Sequence, residues 1–183
     1  AQPADPGGDF LPPVVGDAAA RAFPAWSQTS PAKRRELLVK GAHALEARAA
    51  DFTAAMSAET GASAIWAGFN VHLAADMLIE AAALTTQISG EVIPSNVPGS
   101  LAMAVRQPAG VVLGMAPWNA PVILATRAVA VPLACGNTVV LKGSELCPRT
   151  HGLIIAALQE AGLPEGVVNF VTNAPEDAAE VVA

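Results

Sequence analysis

Three short apolar runs, at 111–115, 138–141 and 167–171, constrain this chain more than any other feature. Their starts lie about 30 residues apart, the length of a strand–helix–strand unit, and each gap has room for one helix. Such spacing predicts parallel strands joined by right-handed crossovers. The runs lack polar alternation, so both faces of the sheet are expected to be covered. The fold class that follows is α/β, with a parallel sheet flanked by helices. Gly162-Leu163-Pro164 ends the second crossover helix with Gly and Pro in the usual order.

The region before the sheet reads as helical. Residues 1–16 hold four prolines and three glycines and are expected to form an irregular arm. Asp17 is a candidate N-cap for a short helix that Pro24 must end or kink. Ser30-Pro31 opens a longer helix, with Leu38, Ala42, Leu45, Ala49 and Phe52 at helical spacing. Gly61 punctuates, and a third helix carries Trp66, Phe69, Leu73 and Met77 on one stripe to about Ile88. Residues 90–99 read as loop. Leu101, Met103 and Val105 then alternate with Ala102, Ala104 and Arg106, the period of a half-buried strand. The expected organisation is an arm (1–16), a helical segment with a linking strand (17–109) and the first part of a sheet domain (110–183), the chain ending in what reads as its next helix.

Charge and composition narrow the function classes. A net charge of −6 without clustered Lys or Arg argues against nucleic acid and anionic membranes as partners. Arg127, Pro132 and Asn137 interrupt the most apolar stretch, so no run reaches the roughly 18 residues of a membrane span. The N-terminal residues carry Asp5 and Asp9 and no basic residue, unlike a secretory signal. Two cysteines at unrelated positions make neither a disulfide framework nor a metal box, which fits a reducing cytoplasm. With 52% hydrophobic and only 14% charged residues, the chain is more apolar than an ordinary domain of its size and is expected to meet a partner surface.

Candidate chemistry gathers at the C-terminal ends of the predicted strands, where open α/β sheets hold ligands. Gly114-Met115-Ala116-Pro117-Trp118-Asn119-Ala120-Pro121 follows the first run and places the Asn119 amide there, either as a donor to a ligand or as a group that satisfies turn backbone. Lys142-Gly143-Ser144-Glu145 follows the second run, with a cation and an anion that could bind a sugar or make a solvated pair. No Gly-x-Gly-x-x-Gly is present. Cys147 precedes Pro148 at a predicted helix start, a setting that can lower a thiol pKa, so local physics alone makes it a nucleophile candidate. Cys135 reads as a small buried apolar residue. His43, His72 and His151 are isolated, without ligand spacing, and read as structural or surface residues.

Through Gly114–Pro121 and 138–145 the chain resembles the aldehyde dehydrogenase superfamily. Residues 17–173 fit that pattern, and 110–169 fit it specifically. Within it, the runs Gly61-Ala62-Ser63-Ala64-Ile65-Trp66-Ala67-Gly68-Phe69-Asn70 and Cys147-Pro148-Arg149-Thr150-His151 are similar to bacterial aromatic aldehyde dehydrogenases of the vanillin and salicylaldehyde type. The resemblance implies the first half of a Rossmann-like NAD-binding domain over 110–183, behind N-terminal helices and an oligomerisation strand. It implies that Asn119 stabilises the oxyanion formed when a thiol attacks the aldehyde. It assigns Met115, Ala116, Pro117, Trp118, Lys142, Gly143, Ser144 and Glu145 to the cofactor, with Lys142 and Glu145 at the adenosine ribose.

A carboxylate at position 145 should repel a 2′-phosphate, so NAD is favoured over NADP. Trp66 and Arg127 match positions near the substrate tunnel, where an indole could pack on an aryl ring and a guanidinium could meet a ring hydroxyl or the product carboxylate. Their plainer alternatives are a core residue and a structural ion pair. The nucleophilic Cys and basic Glu of the superfamily match nothing here, so the chain is expected to be an N-terminal fragment, inactive by itself, of a homo-oligomeric enzyme without a metal. An aliphatic aldehyde or semialdehyde substrate, and a truncated non-catalytic nucleotide-binding or interaction module, remain the alternatives.

Overall fold

Each of the three apolar runs becomes a strand: β3 (Val111–Met115), β4 (Thr138–Lys142) and β5 (Val168–Val171), side by side in one parallel sheet in that order. The computed structural model describes residues 13–174. Register pairs Val111 with Thr138 and Met115 with Lys142, then Val139 with Val168 and Lys142 with Val171. The central strand β4 is buried along 138–141. Alternation sends Thr138 and Val140 to one face and Val139 and Leu141 to the other. On the first face lies α1 (Pro13–Ser27), where the Thr138 hydroxyl donates to the Ala19 carbonyl at 3.0 Å. The crossover helices α5 (Pro121–Ala134) and α6 (Pro148–Glu160) share one hydrophobic core with Val139 and Leu141.

Behind α5 and α6 sit α2 (Pro31–Ala47), α3 (Ala49–Thr60) and α4 (Ala64–Leu84). Ser30 caps α2 by accepting from Lys33 N, and Ser63 caps α4 by accepting from Trp66 N. Gly61 closes α3 in the left-handed conformation, φ 68°, which costs a residue without Cβ little. The helix expected to run through Ala49 and Phe52 is two helices, broken at Arg48, whose guanidinium pairs with Glu160 of α6 at 2.8 Å. α1 begins at Pro13, ahead of Asp17, and Pro24 lies inside it rather than ending it. The rest of the expected arm, residues 1–12, and the helix expected after 174 lie outside the described residues.

Two expectations about exposure fail. The buried stripe of α4 is Ala67, Asn70, Val71, Ala74, Ala75, Leu78, Ala81 and Ala82, so small side chains bring this helix close to its neighbours while Trp66 and Phe69 stay exposed. Residues 90–99 are not all loop: β1 (Glu91–Ile93) pairs antiparallel with β2 (Ala102–Ala104). That hairpin has no buried face, because no other described element packs on it, and Val92, Leu101 and Val105 are 72%, 70% and 65% exposed. A two-stranded ribbon with bare apolar side chains does not hold its shape well in water. The isolated 183-residue chain is therefore expected to bind a hydrophobic dye and to associate at micromolar concentration. A monomer by sedimentation that unfolds reversibly without dye binding would contradict this.

Candidate active site

Parallel register decides which residues meet at the C-terminal edge of the sheet. Met115 pairs with Lys142, the Ala116 N–H donates to the Lys142 carbonyl at 3.1 Å, and the Gly143 N–H donates to the Val171 carbonyl at 2.9 Å. The turn carrying Pro117, Trp118 and Asn119 thus starts beside the loop carrying Gly143, Ser144 and Glu145. Pro121 then opens α5, as a residue without an N–H can. Asn119 is exposed, and its amide has no hydrogen-bond partner among the described residues. Met115 and Trp118 are exposed at the same rim. Lys142 Nζ lies 3.8 Å from Glu145 Oε2, with Lys142 largely covered and Glu145 open. Besides this pair and the Ser144 hydroxyl, which donates to Glu145 Oε2 at 3.5 Å, no described side chain engages them, so carboxylate and ammonium can still accept from and donate to one polar ligand.

The loop itself is held by groups underneath it. His151 on α6 is fully buried, and its Nδ1 accepts the Ser144 N–H at 3.1 Å. A backbone N–H can only donate, so Nδ1 is bare and the ring proton sits on Nε2. Burial pushes this imidazole down to about pKa 4, against Glu59 and the Pro121 carbonyl, which raise it, and together with Lys142, which lowers it. Ser144 Oγ accepts from Leu146 N at 3.2 Å. A Cβ on Gly143 would stand 2.6 Å from the Phe170 ring and 2.8 Å from His151 Nδ1, so only glycine leaves room for the ring beneath the loop.

Glu59, from α3, fills the N-terminus of α6. Its carboxylate accepts from Arg149 N at 2.7 Å, Thr150 N at 2.9 Å and the Thr150 hydroxyl at 2.6 Å. An anion there satisfies orphan amides and the helix dipole together. Cys147 sits at that same helix start, and the expectation from its position is overturned. It is fully buried, and its thiol is pushed up to about pKa 11 by burial first, then by Glu59. The helix end that could have lowered it is occupied by another negative group. Cys135 closes α5 beside a groove of about 660 Å³ lined also by Arg34, Arg106 and Gln107, at the end of the sheet opposite the loop. It is half-buried rather than buried.

Trp66 is 40% exposed and stacks on Phe69 with ring centroids 5.5 Å apart. Arg127 is exposed on α5 and has no ion pair among the described residues, and Trp66 lies off the buried stripe of α4. They stand on helices that pack together, α4 and α5. Glu59 was not among the sequence candidates; His151, read as structural or surface, is the buried structural group. A Glu two residues before a helix-ending Gly carries no local sign that it caps a helix 90 residues away. Asn137 was also missed: its Oδ1 accepts from Ala109 N at 2.6 Å and Gly110 N at 3.0 Å, tying the start of β3 to the turn before β4.

The sequence matches the aldehyde dehydrogenase family over residues 15–183. It is 66% identical to vanillin dehydrogenase of Pseudomonas fluorescens over 165 residues, 90% of this chain and 34% of that protein. The structure is similar to a salicylaldehyde dehydrogenase from Pseudomonas putida G7 complexed with salicylaldehyde, with a TM-score of 0.89 and 49% identity, covering 91% of this chain and 34% of that one. It is also similar to an NAD-dependent benzaldehyde dehydrogenase from Corynebacterium glutamicum, with a TM-score of 0.86 and 31% identity, over 90% and 36% of the two chains. The chain thus spans about a third of the length of these relatives.

The depressed pKa of His151 makes stability depend on pH. Its folded-state value, about 4, lies below the ordinary 6.5, so the unfolded chain takes up the proton first as pH falls. The contribution is complete above about pH 6.5, shrinks on acidification, and is gone below about pH 4. Its size is roughly 3 kcal/mol. Urea unfolding at pH 7 and pH 4 should therefore show an acid loss larger in the wild type than in His151→Asn by about that amount. Equal losses would place the proton elsewhere.

Proposed function

Since the chain belongs to the aldehyde dehydrogenase family, we propose that it forms the N-terminal part of an NAD-dependent enzyme oxidising an aromatic aldehyde, of the vanillin, benzaldehyde or salicylaldehyde class, to the carboxylic acid. The observation that carries this is the register of β3 and β4, which brings the Asn119 turn and the Lys142–Glu145 loop to one rim. In this proposal residues 17–109 are the helical and oligomerisation segment, 110–183 begin the nucleotide domain, and the complete protein is a homo-oligomer. Among the described residues no helix is long and apolar enough to cross a membrane.

The roles of the residues follow from their charges. A cysteine thiolate elsewhere in the complete protein attacks the carbonyl carbon, the C=O π pair moves to oxygen, and a thiohemiacetal forms. Cys147 is unsuited to this, being buried and protonated. The Asn119 amide, at the rim and without a hydrogen-bond partner among the described residues, donates to the oxygen as its negative charge develops. Bound NAD would supply the acceptor for the hydride that leaves carbon; water then releases the acid from the thioester. Glu145 accepts hydrogen bonds from ribose hydroxyls, Lys142 donates to the same sugar, and Met115, Ala116, Pro117, Trp118, Gly143 and Ser144 border it. A 2′-phosphate would bring a dianion against Glu145, which favours NAD over NADP. Trp66 and Arg127 line the approach of the aryl group.

In the complete enzyme, Asn119→Ala should lower kcat by about 10² to 10³, the scale for one lost oxyanion donor, with a much smaller change in KM for aldehyde. Steady-state kinetics with benzaldehyde, vanillin and salicylaldehyde measure it, and a silent substitution would return Asn119 to a turn-forming role. Glu145→Gln should narrow the preference for NAD over NADP by removing the repulsion without emptying the site. An unchanged ratio of kcat/KM for the two cofactors would remove Glu145 from the ribose.

A further inference from the structure

We propose that His151 is a positioning residue for nucleotide binding: its neutral imidazole, wedged under Gly143 and bonded to Ser144, holds the Lys142–Glu145 loop in its ribose-binding shape. The inference rests on the assignment of that loop to ribose. Four observations carry it. The Ser144 N–H has its bond to His151 Nδ1, across 3.1 Å, in a site where both residues are buried. Both ring nitrogens lie 3.8 Å from the Cys147 sulfur, so the imidazole is packed against the start of its own helix. Gly143 leaves no Cβ where the ring lies. Two further loop bonds, Leu146 N to Ser144 Oγ and Cys147 N to the Ser144 carbonyl, turn on Ser144 as well.

These contacts make the imidazole a spacer with defined ends. Its Nδ1 lone pair orders the loop backbone, and its Nε2 lies 3.8 Å from Cys147 Sγ at the start of α6. Without the acceptor, the Ser144 N–H is buried and unpaired, and the loop must rearrange to reach water. Lys142 and Glu145 then lose their common orientation, although neither is altered. The effect is on binding because a positioned pair gives up less freedom when ligand arrives.

Two substitutions of similar polarity separate this from general packing. In His151→Asn the amide oxygen stands near the former Nδ1 and still accepts from Ser144; in His151→Gln the longer side chain places its polar end near the former Nε2 and leaves Ser144 unpaired. Ile154→Ala, a fully buried change on the same helix, serves as the control for lost stability. Calorimetric binding of 5′-AMP to the complete protein is the measurement. Expected are a loss of affinity of about tenfold or more for His151→Gln, within threefold of wild type for His151→Asn, and no change for Ile154→Ala. Equal affinity in the Gln and Asn variants, or a loss in Ile154→Ala matching that in His151→Gln, would overturn the role of His151. Wild-type protein that binds no AMP would instead overturn the ribose assignment beneath it.

Discussion

Strand β4 is the constraint on which everything else depends. Among the described strands it is the one with a strand on either side, and with α1 on one face and the α5–α6 core on the other its backbone and side chains are both committed. Asn137 fixes its entrance by bonding back to Ala109 and Gly110. At its exit the Lys142 carbonyl and the Gly143 N–H reach to β3 and β5. A strand held at both ends cannot slip, since one residue of slippage would turn Val139 and Leu141 away from the core. The rim where Asn119, Lys142 and Glu145 gather is a consequence of that fixed register.

Around the rim, polar groups are divided by depth. Glu145, Asn119 and Trp118 are open to solvent, while His151, Cys147 and Thr150 beneath them are closed off. The buried members are kept neutral: the imidazole is forced down and the thiol up by the same desolvation. Glu59, half-buried beside them, is an anion close to these neutral groups. It is tolerated because three donors at the start of α6 surround its carboxylate. Its placement also explains why the helix end does not activate Cys147, which shares that position with a stronger and better-bonded anion.

The described part ends in two apolar surfaces of different kinds. The β1–β2 hairpin exposes alternating aliphatic side chains on a ribbon with free edges. The Trp66–Phe69 stack on α4 is aromatic and stands on the same helical pair as Arg127. Sequence periodicity made both look like parts of a core. The alternation at 101–106 and the spacing of Trp66, Phe69, Leu73 and Met77 are real, yet the stripe that α4 buries is mostly alanine, whose small size lets helices approach. A periodic pattern says that two sides differ; it does not say which side is covered.

Local sequence settled the three sheet strands and their parallel course, the caps at Ser30 and Gly61, and which polar residues follow the strand ends. These depend on period, chain reversal and backbone freedom, which neighbouring residues control. It also carried the family, through residues 110–169 above all. The break at Arg48, the extension of α1 through Pro24 and the pairing of β1 with β2 were not legible, because each is resolved by contacts with segments far along the chain. The roles of Glu59, His151 and Asn137 belong to the same class. A carboxylate, an imidazole and an amide each have several possible partners, and only the packing of α3 on α6, of α6 under the 143–145 loop, and of the α5–β4 turn on β3 selects one. The sequence by itself determined which groups this protein has at its rim; the tertiary structure decided their depth, and depth sets whether a group is charged, bonded or free to meet a ligand.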